Sequence, residues 1–313
     1  MGYILTFSQP QRERKAVLST EHLQRTGILY ALAAFTFWGL TPFYFKAVAQ
    51  VPPLELLAHR VLWSLPLLAL LITLGRQWGA MRRALASRRL WALLFFTAAL
   101  VTCNWFVFIY AMVSGRILQA SLGYYVNPLV NVLLGLIFLQ ERLRPWQVVA
   151  VLLAAAGTLN LALAQGQLPW ISLSLAFSFG TYGLLRKTMR IESLNGLFVE
   201  TCLMTPAALA YVFWLASQGA GAFGAGGAQI TLLLALAGMV TALPLVWFTS
   251  AARRLPYTTI GLLQYLAPSI QFVLAIFVYD ETFTRAHLIT FGCIWAGLAL
   301  YMADLYRGRT AGP

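Results

Sequence analysis

The chain has 313 residues, 60% of them apolar, with 22 basic and 9 acidic residues and a mean hydropathy of +0.75. Only 10% of its residues are charged, against about 25% in a soluble domain, which excludes an ordinary soluble protein. The net charge of +13 would fit a nucleic-acid binder only if the basic residues gathered on a soluble surface, and they sit instead in short loops between apolar runs.

Residues 1–26 are polar and charged and lack a short apolar core followed by a cleavage site, so they are expected to remain as a cytoplasmic N-terminal segment. Met1-Gly2-Tyr3-Ile4-Leu5-Thr6 matches the N-myristoylation pattern, but one acyl chain adds little to a polytopic protein, and no anchor is expected. Runs of about 20 apolar residues, the length that crosses a hydrocarbon core about 30 Å thick, then predict an all-α membrane protein with ten spans. These lie near 27–49, 54–75, 90–113, 119–139, 146–164, 168–185, 194–216, 230–251, 259–279 and 286–304, followed by a tail at 305–313.

Span one contains Trp38, Pro42 and, at its outer end, Lys46, which is expected to snorkel toward the interface. Pro42 has no N–H for the carbonyl of Trp38, the first predicted helix break. Span two begins after Pro52-Pro53 and carries Glu55, His59 and Arg60, with Glu55 and His59 four apart on one helical face. Span three holds Asn104 and Trp105. Span four places Ser121, Tyr124, Pro128, Asn131 and Gly135 on one face, with Tyr125 and Asn127 nearby. Span seven carries Glu200, span eight Trp247, and span nine repeats the pattern of span four with Gly261, Gln264, Pro268, Gln271 and Ala275, next to Tyr265. Pro128 and Pro268 free the carbonyls of Tyr124 and Gln264, and exposed backbone at membrane depth must be buried in protein or face a cavity. Trp78, Trp91, Trp146, Trp170 and Trp214 fall at span ends as an interfacial belt.

With the N-terminus inside, 18 of the 22 basic residues fall on one side: Arg12, Arg14, Lys15 and Arg25, the five arginines of 76–89, Arg142 and Arg144, Arg186, Lys187 and Arg190, Arg253 and Arg254, and Arg307 and Arg309. The positive-inside rule therefore predicts both termini in the cytoplasm. A shift of 140 residues superposes Tyr125, Pro128 and Glu141 on Tyr265, Pro268 and Glu281, Pro66 on Pro206, Phe108 on Phe248 and Gly157 on Gly297. Five spans per half put equivalent loops on opposite faces, and the loop charges disagree as that requires. Two inverted repeats are predicted, 27–164 and 168–304, with a site near the midplane where they meet.

The same offset makes Glu200 the counterpart of Arg60. A charge deep in a span costs about 2.5–3.5 kcal/mol and needs a partner, a cavity or a function, so the two are expected to face the interior and compensate one another or the substrate. A structural ion pair and a proton-coupling or gating role for Glu55, His59, Arg60 and Glu200 both remain open. Trp38, Asn104, Trp105, Tyr124, Tyr125, Asn127, Asn131, Trp247, Gln264, Tyr265 and Gln271 form the candidate substrate site, a composition suited to a flat, partly polar molecule held by stacking and a few hydrogen bonds.

No G-x-x-x-x-G-K-[ST] is present, so transport would be secondary. His22, His59 and His287 form no H-E-x-x-H, and Cys103, Cys202 and Cys293 lie singly in apolar runs as small buried residues, so no enzyme, metal site or cofactor is expected. The expected partners are a small-molecule substrate and the lipid bilayer, without nucleic acid or an obligate protein partner.

Trp38-Gly39-Leu40 with Pro42-Phe43-Tyr44-Phe45-Lys46, the stretch Glu55 to Ser64, Tyr124-Tyr125-Val126-Asn127-Pro128-Leu129 and Leu139-Gln140-Glu141-Arg142-Leu143 resemble the RarD branch of the EamA group in the drug/metabolite transporter superfamily. The likeness covers roughly residues 26–305. It implies a ten-helix bacterial inner-membrane permease of two EamA repeats working by alternating access, whose substrates range from chloramphenicol-like drugs to amino acids and other metabolites. An exporter or exchanger of small amphipathic solutes is expected. The alternative is a membrane sensor or assembly subunit that binds a ligand or partner without moving it.

Overall fold

The computed structural model describes residues 9–114, 116–165, 170–278 and 284–310, which contain helices and no strand. The helices are α1 (Gln9–Ala47), α2 (Pro53–Leu74), α3 (Trp78–Leu85), α4 (Arg88–Val113), α5 (Ile117–Phe138), α6 (Pro145–Gln165), α7 (Trp170–Thr188), α8 (Ser193–Ser217), α9 (Gly227–Ala252), α10 (Tyr257–Gln264), α11 (Leu266–Phe277) and α12 (Arg285–Thr310). Among the described residues nine helical segments are long and apolar enough to cross a membrane, α10 and α11 together counting as one. The sixth expected span is present as the 19-residue α7, which is not among the nine. Its polarity has a structural reason: α7 packs on α4, α5 and α9, with Ser172 and Gly180 buried against α5 and Tyr182 and Arg186 buried toward Glu200 of α8, so α7 meets little lipid. Sequence reading also passed over α3, a short helix inside the arginine-rich loop.

Local chemistry starts and stops these helices. Pro53 opens α2 where no N–H is needed, and the Ser87 hydroxyl accepts from Leu90 N to start α4. Of the predicted breaks, only Pro268 interrupts a helix, separating α10 from α11. Pro42 and Pro128 lie inside continuous helices. A lost backbone bond need not bend a helix whose neighbours hold it straight, and the Trp38 carbonyl freed by Pro42 accepts instead from Thr41 Oγ1 (2.7 Å) and Gln271 Nε2 (3.0 Å).

Consecutive long helices run antiparallel. One end of the bundle joins the end of α1 to the start of α9 through Val48, Val51 and Ile230, and the start of α2 to the α8–α9 loop through Glu55. At the other end Lys187 Nζ, closing α7, donates to the carbonyls of Ala252 and Leu255, while Arg144 and Asp304 pair at 3.7 Å between α6 and α12. Large apolar side chains such as Phe95, Leu152, Leu163, Phe213 and Phe277 are exposed on the flanks, the pattern of a surface solvated by lipid. Cys103 and Cys202 are exposed there too, and Cys293 is half-buried, which corrects the expectation of buried cysteines; an apolar thiol costs nothing to leave in hydrocarbon.

The crossing of α6 and α12 is built from two reciprocal close approaches. A Cβ on Gly157 would lie 2.8 Å from Thr290 O and 3.0 Å from Cys293 Cβ; one on Gly297 would lie 2.7 Å from Ala150 O and 3.5 Å from Leu153 Cβ. Contacts elsewhere have counterparts of the same kind, α5 against α7 and α11 against α1, α4 against α7 and α9 against α1. The predicted Glu281 and the Met1–Thr6 motif lie outside the described residues.

Candidate functional site

A partly open cavity of about 150 Å³ extends from mid-depth toward the end of the bundle where α1 stops and α5 starts. Trp38, Thr41 and Phe45 of α1, Asn104, Trp105 and Phe108 of α4, Tyr124 and Asn127 of α5 and Phe179 of α7 line it. Thr241 of α9, Gln264 of α10 and Pro268 and Gln271 of α11 also line it, and among the described residues Arg60 of α2 is its one charged lining residue. Aromatic faces with a few amides and hydroxyls make it a site for an amphipathic small molecule.

Four interior prolines converge on this space. Pro42, Pro128, Pro244 and Pro268 cannot donate to the carbonyls of Trp38, Tyr124, Val240 and Gln264, and all four of those residues line the cavity. Pro244 carries the same mark as the other three and was missed in the sequence. The amides are ordered among themselves: Asn127 Oδ1 accepts from Gln264 Nε2 (2.7 Å) and Asn131 Nδ2 (3.3 Å), Asn131 Nδ2 also reaches Gln264 Oε1 (2.6 Å), and Asn127 Nδ2 donates to Ala176 O. Asn104 Nδ2 donates to Leu175 O and Ser178 Oγ, both at 2.9 Å, and among the described residues its carbonyl oxygen has no protein donor.

Seven of the eleven expected site residues line the cavity, and Tyr125, Asn131, Trp247 and Tyr265 do not. Tyr125 packs edge-on against Phe291 of α12, and the Tyr265 hydroxyl donates to the Tyr125 carbonyl, so both face the α6–α12 side. Trp247 lies against Phe37, and Asn131 is fully buried behind the lining in the amide network. One residue of helical travel turns a side chain about 100°, so Tyr124 and Tyr125 diverge, as do Gln264 and Tyr265.

The proposed Arg60–Glu200 pair does not form. Arg60 Nε donates to Thr241 Oγ1 (2.8 Å), and its Cζ lies 5.2 Å from the Trp105 ring centre and 5.9 Å from that of Phe45. Glu200, fully buried, accepts from Thr97 Oγ1 (2.5 Å) and Tyr182 OH (3.2 Å) and faces Arg186 at 3.7 Å. Antiparallel α2 and α8 each carry their charge seven residues from the start, so the two side chains lie at different depths, on the order of 10 Å apart along the bundle. Arg186, assigned to a loop by its distance from the last apolar run, is the missed partner. Glu55 meets His59 at 3.9 Å and accepts from Ala222 N (2.6 Å), fastening the α8–α9 loop, and His59 stacks on Phe223.

Beneath the cavity the bundle is closed. Phe35, Tyr182, Phe248 and Tyr257 are fully buried in one cluster, with Tyr257 OH bonded to Gly180 O at 2.7 Å. Glu141 accepts from Tyr257 N (2.6 Å) and Thr258 N (2.8 Å), satisfying the free N–H groups that open α10, and Arg253 donates to Ile191 O. The cavity is thus reachable from one end of the bundle and sealed at the other.

Residues 25–163 match the family described as the EamA-like transporter family. An "Uncharacterized transporter" of Vibrio cholerae is 48% identical over 288 residues, covering 92% of this chain and 95% of that protein. "Protein RarD" of Salmonella typhi is 44% identical over 286 residues, covering 91% and 97%. "Chloramphenicol-sensitive protein RarD" of Pseudomonas aeruginosa is 34% identical over 285 residues, covering 90% and 95%. A solved crystal structure superposes with a TM-score of 0.67 at 19% identity, covering 88% of this chain and 97% of that one, a likeness of fold.

Proposed function

Since the chain belongs to the RarD branch of the EamA-like transporters, a family of multi-pass membrane transporters, we propose that it is a secondary permease for small amphipathic solutes, working by alternating access through the described cavity. The observation that carries this is the cavity's asymmetry, open toward one end and closed at the other by Glu141, the Arg186–Glu200 pair and four packed aromatic rings.

In this reading α7 is the tenth crossing helix. That is supported by its contacts at both ends of the bundle, Trp170 against Tyr110 and Lys187 on the carbonyls closing α9. The two repeats, 27–164 and 168–304, are supported by the α6–α12 crossing, where Gly157 and Gly297, Ala150 and Thr290, and Leu153 and Cys293 are each 140 apart and exchange roles. Arg142, Arg144, Arg186, Lys187, Arg253 and Arg254 gather at the closed end, so the closed end is cytoplasmic and the cavity opens outward. Among the described lining residues there is no carboxylate or histidine, which favours exchange or facilitated movement over a proton relay through Glu55, His59 or Glu200.

The test is counterflow of a labelled aromatic solute in proteoliposomes. Wild type accumulates label against a preloaded gradient, and Trp38→Ala or Trp105→Ala raises the apparent KM several-fold, the loss of one aromatic platform worth about 0.5–1.5 kcal/mol, at unchanged thermal stability. No counterflow with any solute that stabilises the protein would leave a binding protein that does not transport.

A further inference from the structure

The cavity holds a cation that the protein itself does not neutralise. Arg60 stands seven residues inside α2, and among the described residues no carboxylate lies within ion-pair distance of it. Its Nε is used on Thr241, whose hydroxyl in turn donates to Ala237 O, and neither terminal nitrogen meets a protein acceptor. Phe45 and Trp105 lie near the guanidinium carbon but supply no hydrogen-bond acceptor along the guanidinium edge. A charge retained at membrane depth faces a partner or a water-filled space, and here it faces the cavity. The two terminal nitrogens form the fork that a carboxylate fills with two parallel hydrogen bonds.

We propose that Arg60 is a specificity residue for a carboxylate-bearing solute, its carboxylate seated on the guanidinium and its flat apolar body lying between Trp38, Trp105 and Phe179. The assignment rests on the cavity being the transport site. It names the substrate as an organic acid with an aromatic or similarly flat body, and it gives the Asn104 carbonyl oxygen a role as acceptor for a donor elsewhere on the solute. Thr241 positions Arg60, because its bond to Nε directs the opposite edge of the guanidinium into the cavity.

The experiment compares an acid with its uncharged isostere. Binding of indole-3-acetate and indole-3-acetamide to purified full-length protein in detergent is measured by calorimetry at neutral pH, for wild type, Arg60→Gln and Arg60→Lys. Wild type should bind the acid at least about tenfold more tightly than the amide, Arg60→Gln should bring the two together, and Arg60→Lys should retain part of the preference. Wild type binding both alike, binding the amide or chloramphenicol but not the acid, or an acid preference that survives in Arg60→Gln would each overturn the proposal. If Arg60→Gln does not fold, the wild-type comparison with Arg60→Lys decides alone. Failure of the site looks different: acid, amide and chloramphenicol would all bind Trp38→Ala as they bind wild type, which removes the cavity reading along with the charge.

Discussion

Arg186→Met should lower the unfolding free energy by about 3–5 kcal/mol, the cost of leaving the fully buried Glu200 carboxylate without its cation. Thr97 and Tyr182 continue to donate to it, but two hydroxyl hydrogen bonds do not replace a guanidinium beside a fully buried carboxylate. Combining Arg186→Met with Glu200→Gln should recover much of the loss, because an amide can keep a bond to each hydroxyl without a buried charge. Equilibrium unfolding in mixed micelles measures both variants. If Arg186→Met stays within about 1 kcal/mol of wild type, the pair does not hold the closed end together. The site has no slack around this pair, since a side chain on Gly196 would fall on the Arg186 guanidinium.

Gly238→Val should be comparably damaging, for a steric reason. A Cβ at this position would coincide with the backbone of Trp63 and Ser64, where α2 and α9 cross. Backbone cannot rotate away as a side chain can, so the helices must separate, breaking the bond from Ser64 Oγ to Gly238 O (3.2 Å) and shifting Arg60 relative to Thr241. Overpacking a core usually costs about 1–3 kcal/mol, and a clash with backbone belongs at or above the top of that range. The unfolding titration should show the loss, and ligand binding should weaken with it because α2 and α9 both line the cavity. A folded Gly238→Val variant with wild-type affinity would show that the crossing relaxes without disturbing the site.

Spans and their inward faces were legible in the sequence; the depth and partner of each buried charge were not. Apolar runs give the lipid-crossing helices directly, because hydrocarbon sets their length and polarity. The 140-residue offset predicts pairs such as Gly157 and Gly297. Seven of the expected cavity residues reach it because prolines and amides on one helical face are expensive in lipid and must turn inward. The 140-residue offset made Arg60 and Glu200 look like partners, and α2 and α8 do pack together, but each charge lies seven residues from the start of its helix and the two helices run in opposite directions, so their depths separate them. Arg186 was hidden by its place at the end of an apolar run: its charge marked a loop, whereas the folded chain buries it. α7 reads weakly for a related reason, since a helix surrounded by protein need not be as greasy as one surrounded by lipid.

Among the described residues neither α6 nor α12 contributes to the cavity, and at their crossing two backbones approach through reciprocal glycines. A joint locked by backbone on both sides cannot rock or slide without losing both contacts at once. If the proposed alternating access operates, the α6–α12 pair is expected to stay fixed while the other helices move around it. Reporter groups on its exposed flanks, at Leu159 and Ile289, should then keep one separation with and without solute, and a change in that separation would show that the joint moves.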